Sequence, residues 1–162
     1  MIRRLLLSVG LLLLCACASH APLPEHSPQL ALPMQLHILR EQAEQRQDWL
    51  LVIQQESGGL RWSLIDPLGI PVARQRLING KWQADGLLPP NPQARELFAA
   101  LLFALTPAAE LRTNYPQART KDGQRDLGSR WHVEYRRPDV FEMRMDPRLV
   151  YHVSPLDDEV SP

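Results

Sequence analysis

Tight turns between short alternating segments constrain the fold of this chain more than any other feature of its sequence. Ser57-Gly58-Gly59, Pro67-Leu68-Gly69 and Asn79-Gly80 each separate two segments in which apolar and polar residues alternate. Alternation with a period of two is typical of a half-buried strand, and Asn-Gly is a strong signal for a two-residue hairpin. Residues 34–84 therefore predict an antiparallel meander of about five strands. Residues 40–47 are polar and fit either a strand or a helix.

An apolar segment of about 15 residues follows the meander. Asn91-Pro92 supplies an N-cap and a proline at the first helical position, and Thr106-Pro107 ends the segment. At 1.5 Å per residue such a helix is about 20 Å long, which is too short to cross a bilayer. Its apolar residues cover more than one side, so we expect the helix to lie against the concave face of the sheet. A short helical turn is expected at residues 108–112.

The second half of the chain predicts further strands. Residues 131–135, 140–146 and 149–153 alternate or lie around turns, whereas residues 114–130 are polar and fit either a loop or a weak edge hairpin. No βαβ crossover is apparent, which argues against a parallel sheet. The expected fold class is mainly β with a helical lid, that is, α+β with an antiparallel sheet.

The N-terminal residues have the pattern of a bacterial lipoprotein signal. Arg3 and Arg4 precede an apolar run at residues 5–14, and Leu14-Cys15-Ala16 leads to Cys17. We expect cleavage before Cys17 and acylation of that residue. An uncleaved transmembrane anchor is the alternative, but spans usually need about 18 or more apolar residues. Because Ala18 rather than Asp follows the cysteine, the expected location is the periplasmic face of the outer membrane.

The expected organisation has four parts. Residues 1–16 are the signal peptide, residues 17–33 a lipidated cysteine and proline-rich tether, residues 34–156 the domain, and residues 157–162 an acidic tail. At about 3.1 Å per residue, an extended tether would hold the domain tens of ångströms from the membrane.

Composition excludes several classes of function. Cleavage would remove Arg3 and Arg4 from the 18 basic residues and none of the 18 acidic ones, which gives a formal net charge of −2 and no reason to expect nucleic acid. Cys15 would leave with the signal and Cys17 would carry lipid, so no thiol would remain for a disulfide or a metal site. The five histidines are scattered, and no Gly-x-Ser-x-Gly or phosphate-binding loop is present. We therefore expect no catalytic residue, no metal and no cofactor, and a monomeric protein that is not an enzyme.

Four motifs, in this order and spacing, resemble the LolA/LolB superfamily of lipoprotein carriers. They are similar most of all to an uncharacterised proteobacterial lipoprotein family often encoded beside aryl polyene biosynthesis genes. The motifs are Asp66-Pro67-Leu68-Gly69, Leu87-Leu88-Pro89-Pro90, Leu105-Thr106-Pro107-Ala108-Ala109-Glu110-Leu111-Arg112 and Tyr151-His152-Val153-Ser154-Pro155-Leu156. The resemblance implies a strongly curved sheet, an incomplete barrel, with helices forming a lid over an apolar cavity. In LolB-like proteins this cavity takes acyl chains delivered by a soluble LolA-like carrier.

The resemblance also implies site residues. Leu68 matches a loop leucine that faces the membrane, and the alternative is a turn leucine folded back into the core. The expected residues of the cavity and lid are Trp62, Leu64, Phe98, Leu101, Leu102 and Leu105. Ordinary core packing is the alternative for each of them. The expected function is to bind a hydrophobic chain (acyl, lipoprotein or polyene lipid) and aid its delivery to the outer membrane; the alternative is a structural adaptor with a filled core.

Overall fold

Residues 20–156 are described by the computed structural model and form one antiparallel sheet of ten strands with two helices. Cys17, the predicted signal peptide and the acidic tail lie outside the described residues. The strands are β1 (Met34–Gln42), β2 (Gln45–Glu56), β3 (Gly59–Ile65), β4 (Pro71–Ile78), β5 (Lys81–Ala84), β6 (Ala118–Lys121), β7 (Gln124–Leu127), β8 (Trp131–Arg137), β9 (Val140–Asp146) and β10 (Leu149–Pro155). The helices are α1 (Pro92–Leu105) and α2 (Ala108–Asn114).

The sheet consists of two meanders joined at their first and last strands. Its order is β5-β4-β3-β2-β1-β10-β9-β8-β7-β6, and the sheet is not closed because β5 and β6 form its two edges. At the centre β1 pairs with β10, with Ile38 opposite Val153. The predicted five-strand meander is confirmed. Residues 40–42 belong to β1 and residues 45–47 to β2, with a two-residue turn between them rather than a helix. Residues 114–130 contain the edge hairpin β6–β7.

Helix α1 lies along the inner face of the sheet, as predicted. The Asn91 side chain caps it by accepting a hydrogen bond of 3.0 Å from the backbone N–H of Ala94. Its buried residues are Ala94, Leu97, Phe98, Ala99, Ala100, Leu101, Leu102, Phe103 and Ala104. A helix that is apolar on every side needs partners on every side, and the rings of Trp62 on β3, Trp131 on β8 and Tyr115, which follows α2, contact it.

Aromatic contacts to α1 from both halves of the sheet show that the sheet curves around it. The ring of Phe98 lies 5.4 Å from Trp62 on β3, and that of Phe103 lies 5.7 Å from Trp131 on β8. Five strand spacings separate β3 from β8, or about 24 Å in a flat sheet, whereas a helix with its side chains is only about 10–12 Å wide. The two halves can reach the same helix only if the sheet bends around it.

Arg125 on β7 holds the C-terminal end of α1. Its buried guanidinium donates hydrogen bonds of 2.9, 3.0 and 2.9 Å to the backbone carbonyls of Phe103, Ala104 and Thr106. The last carbonyls of a helix have no partner within the helix, and Pro107 lacks the N–H that the Phe103 carbonyl would otherwise accept from. Arg125 therefore supplies the hydrogen-bond donors that the backbone lacks at the C-terminal end of α1.

Glu96, in the first half of α1, fixes the helix to the start of β8. Its carboxylate accepts hydrogen bonds from Arg130 at 2.7 Å and from the indole N–H of Trp131 at 2.8 Å. Burial by itself would raise the pKa of Glu96, but these hydrogen bonds and the charge of Arg130 outweigh burial and hold the pKa below its usual value. The carboxylate is therefore ionised in the folded protein at neutral pH.

The proline-rich segment is packed on the domain, in contrast to the predicted tether. The backbone N–H of His26 donates to the side chain of Asn114 at 2.8 Å, and that of Gln29 donates to Glu110 at 3.1 Å, both on α2. Leu23 and Leu30 pack against the core. The predicted spacing of tens of ångströms therefore does not apply to residues 20–33, because α2 offers acceptors and apolar surface to a segment that has no periodicity of its own.

Candidate functional site

Most of the predicted cavity and lid residues lie in the packed core between α1 and the sheet. Trp62, Phe98, Leu101 and Leu102 are each 0% exposed, and Leu105 is half-buried at the end of the helix. The protein's own side chains thus occupy the space that the sequence analysis assigned to a ligand. Contact between these residues and a ligand stays a prediction that requires α1 to move away from the sheet.

A crevice of about 300 Å³ lies between the start of α1 and strands β1 to β4. Leu64 is the predicted cavity residue that lines it. Its other lining residues are Arg40, Gln45, Gln47, Trp49, Val72, Asn91, Gln93, Ala94, Leu97 and Tyr151. The apolar and aromatic members form an apolar wall, and the arginine, asparagine and glutamines form a polar rim. Small-ligand sites commonly combine an apolar wall with a few polar groups. Here Leu64 and Leu97 are each 1% exposed, so the wall offers little free apolar surface while α1 stays in place.

Arg40 lies at the rim, next to two aromatic rings. Its guanidinium carbon is 5.9 Å from the centroid of the Trp49 ring, and one of its terminal nitrogens donates to the Gln47 side chain at 3.1 Å. The other terminal nitrogen donates to the side-chain carbonyl of Gln42. No carboxylate of residues 20–156 forms an ion pair with it.

Tyr151 on β10 closes the inner side of the crevice. Its side chain is 3% exposed, and its ring centroid lies 6.4 Å from that of Trp49. Burial raises the pKa of the Tyr151 phenol, an effect that the neighbouring Arg40 opposes. The phenol therefore stays neutral at physiological pH.

Sequence patterns did not identify Arg40 or Tyr151 as site residues, although they contain a signal for Arg40. Arg40 is two residues beyond Ile38 and four beyond Leu36, so strand alternation places all three on the same face of β1. Leu36 and Ile38 are core residues. When a charged residue follows buried apolar residues on the same face of a strand, a binding site is worth seeking at that end of the strand.

Leu68 projects into solvent from the loop between β3 and β4. It is 84% exposed, which excludes the alternative of a leucine folded back into the core. The Asp66 side chain accepts hydrogen bonds from the backbone N–H groups of Leu68 at 2.9 Å and Ile70 at 2.8 Å, and Gly69 has φ +82°. This turn fixes the leucine in an outward position. Insertion of Leu68 into a membrane stays a prediction.

Two further exposed aliphatic residues accompany Leu68. Ile70 is 57% exposed and Leu87 is fully exposed, and these three are the large apolar side chains with high exposure among residues 20–156. Leu68 and Ile70 follow the end of β3, and Leu87 follows the end of β5. Antiparallel pairing places these two strand ends at the same end of the sheet, which we call the Leu68 end.

The crevice and the first described residues also lie at the Leu68 end. Gln45 and Gln47, at the start of β2, line the crevice, and β2 begins at the end of the sheet where β3 finishes. Pro22 and Leu23 line a second cavity together with Gly128. Gly128 is in the turn between β7 and β8, at this same end of the sheet.

Comparison with known proteins adds no assignment. No protein-family model matches the chain, and no curated protein matches it significantly. No helix in the described part of the chain is long and apolar enough to cross a membrane.

Proposed function

We propose that the protein is an outer-membrane lipoprotein with a LolB-like incomplete barrel, which holds a hydrophobic chain at the crevice and aids its delivery to the membrane. One observation carries the proposal. The crevice lies at the Leu68 end of the sheet, with the three exposed aliphatic side chains and the first residues after the proposed anchor. A chain leaving the crevice would thus enter the bilayer without crossing bulk water.

The size of the crevice suits reversible binding. At about 30 Å³ for a water-sized group, 300 Å³ holds about ten such groups. Complete burial of ten methylenes would contribute about 8 kcal/mol as an upper limit, from which the open side of the crevice and the entropy of association subtract several kcal/mol. Such a site binds a medium-length chain and releases it again. A longer chain would need α1 to move and expose Phe98 or Leu101.

The proposed anchor fits this orientation. Acylation of Cys17 would hold the Leu68 end against the periplasmic face of the outer membrane, where Leu68, Ile70 and Leu87 would enter the interface. The proposed partners are the membrane, a hydrophobic acyl-chain ligand and a soluble LolA-like carrier that supplies the chain. The protein would act as a monomer, without metal or cofactor.

Binding of a fluorescent fatty-acid probe tests the proposal. Native mass spectrometry of the protein purified from bacterial outer membranes would identify any apolar molecule that copurifies with it. Val72→Phe places a ring in the crevice at a half-buried position, and we expect it to weaken probe binding at least tenfold. Val52→Phe, the same change at a half-buried position of β2 outside the crevice, is the matched control and should bind as the wild type does. Equal binding by both variants would contradict the proposal.

An adaptor that holds partner proteins is the second candidate function. The observation that favours it is the filled core, in which Trp62, Phe98, Leu101 and Leu102 leave no exposed surface. An adaptor would be purified without an apolar ligand and would not take up the probe. Its thermal stability would also be unchanged by added fatty acid, whereas a ligand that binds the folded state raises it.

A further inference from the structure

Arg40 is the one charged side chain among the described residues that line the crevice. Its hydrogen-bond acceptors on Gln42 and Gln47 are neutral amides, so its positive charge is not compensated there. A guanidinium prefers a carboxylate, which it can bind through two parallel hydrogen bonds. The crevice therefore combines apolar lining residues with a positive charge at its rim that no carboxylate of residues 20–156 neutralises.

The neighbouring acidic side chains face away from the crevice and have other partners. Glu41 lies on the opposite face of β1, where it pairs with Arg46 at 2.6 Å and with His152 at 3.3 Å. Asp48 pairs with His37 at 2.9 Å on the same outer face. Strand alternation thus separates these carboxylates from Arg40. An incoming anion would meet no competing negative charge in the crevice.

We infer that the crevice recognises the carboxylate head of a single-chain amphiphile, with the carboxylate on Arg40 and the chain against Leu64, Val72 and Leu97. The inference rests on the proposed function and names its ligand class. The volume selects chains of about ten carbons. Trp49 and Tyr151 line the crevice next to Arg40, and amphipathic rings suit the junction between head and chain.

The affinity for decanoate relative to 1-decanol tests the inference without any substitution. Both ligands have the same chain, and the decanoate carboxylate alone can form charge-assisted hydrogen bonds with Arg40. Such bonds correspond to a factor of about ten or more in affinity. Isothermal titration of the full-length protein in amphipol, with binding to empty particles subtracted, should give at least a tenfold preference for decanoate. Equal affinity would overturn the inference.

Substitution at Arg40 then locates the selectivity. In Arg40→Gln the preference for decanoate should disappear while binding of 1-decanol is retained, and Arg40→Lys should restore part of the preference. Arg46→Gln, which removes an exposed arginine on the outer face, is the control and should keep the wild-type preference. A preference that persists in Arg40→Gln would place anion recognition elsewhere and refute the inference.

The outcomes separate this inference from the proposed function. If the two ligands bind equally well and Val72→Phe weakens both, the crevice holds chains but does not recognise the head, and the proposed function stands alone. If neither ligand nor the fluorescent probe binds, both fail.

Discussion

Arg125→Met tests whether a buried guanidinium secures the end of α1. Methionine keeps an unbranched side chain, so much of the packing of the arginine stem is retained while three hydrogen bonds are lost. Among residues 20–156 a second side-chain donor, the Tyr135 hydroxyl at 2.7 Å, reaches the carbonyl of Ala104. In the variant, the carbonyls of Phe103 and Thr106 would have only water as a possible hydrogen-bond donor.

The expected loss of stability follows from these contacts. A buried carbonyl without a partner costs about 1–3 kcal/mol, which gives about 2–6 kcal/mol for two. Removing the charge offsets part of this cost because the guanidinium is itself desolvated and its Nε has no hydrogen-bond partner in the described chain. We therefore expect a net loss of about 2–3 kcal/mol. For a domain of this size that corresponds to a decrease in Tm of about 6–15 °C.

Thermal unfolding followed by circular dichroism measures the effect. Arg136→Met removes an exposed arginine from the adjacent strand β8 and should change the stability by less than about 0.5 kcal/mol. The reasoning would be refuted if the two variants had Tm values within about 2 °C of each other.

Three further outcomes follow from other contacts. Because the pKa of Glu96 is lowered in the folded state, its contribution to stability is present above the unfolded pKa and is lost as the pH falls through the folded value. Glu96→Gln should thus be less stable than the wild type by about 1–2 kcal/mol at pH 7, and urea titrations down to pH 3 should show that gap narrowing. Leu68→Asp should weaken binding to vesicles at least threefold without changing Tm, and Asn79→Asp, which adds the same charge at the opposite end of the sheet, should leave vesicle binding unchanged in a flotation assay. Gly59→Ala should lower Tm more than Gly58→Ala does, because a Cβ at residue 59 would collide with a backbone carbonyl of β4, whereas residue 58 has open space and only a positive φ.

Sequence patterns were informative wherever structure is local. The alternation around Asn79-Gly80 and the cap at Asn91 specify strands and a helix through contacts between residues close in the chain, and both were predictable. The docking of residues 20–33 on α2 was not, because it depends on acceptors that lie more than eighty residues away. A segment without periodicity gives no sign of such a partner.

In the candidate site, too, features set by local contacts were predictable and features set by long-range contacts were not. The exposure of Leu68 depends on the local turn at Asp66, and the resemblance of this motif to a known family was enough to identify the residue. The crevice depends on the distance between α1 and the sheet, which side-chain volumes across the whole core determine. Arg125 was likewise inconspicuous in a polar stretch of sequence, since its role depends on a helix end that reaches β7 only in the folded protein.

The pairing of β1 with β10 has a consequence for the order of folding. The first five strands can form their hairpins as soon as they are available, but the free edge of β1 finds its partner only when the last strand of the domain has emerged. Closure of this central seam joins opposite ends of the chain and therefore carries the largest loop-closure entropy of any strand pairing in the sheet. Until it closes, the N-terminal half presents the unpaired edge of β1 to other chains, and we expect the chain to be most prone to aggregation in this interval.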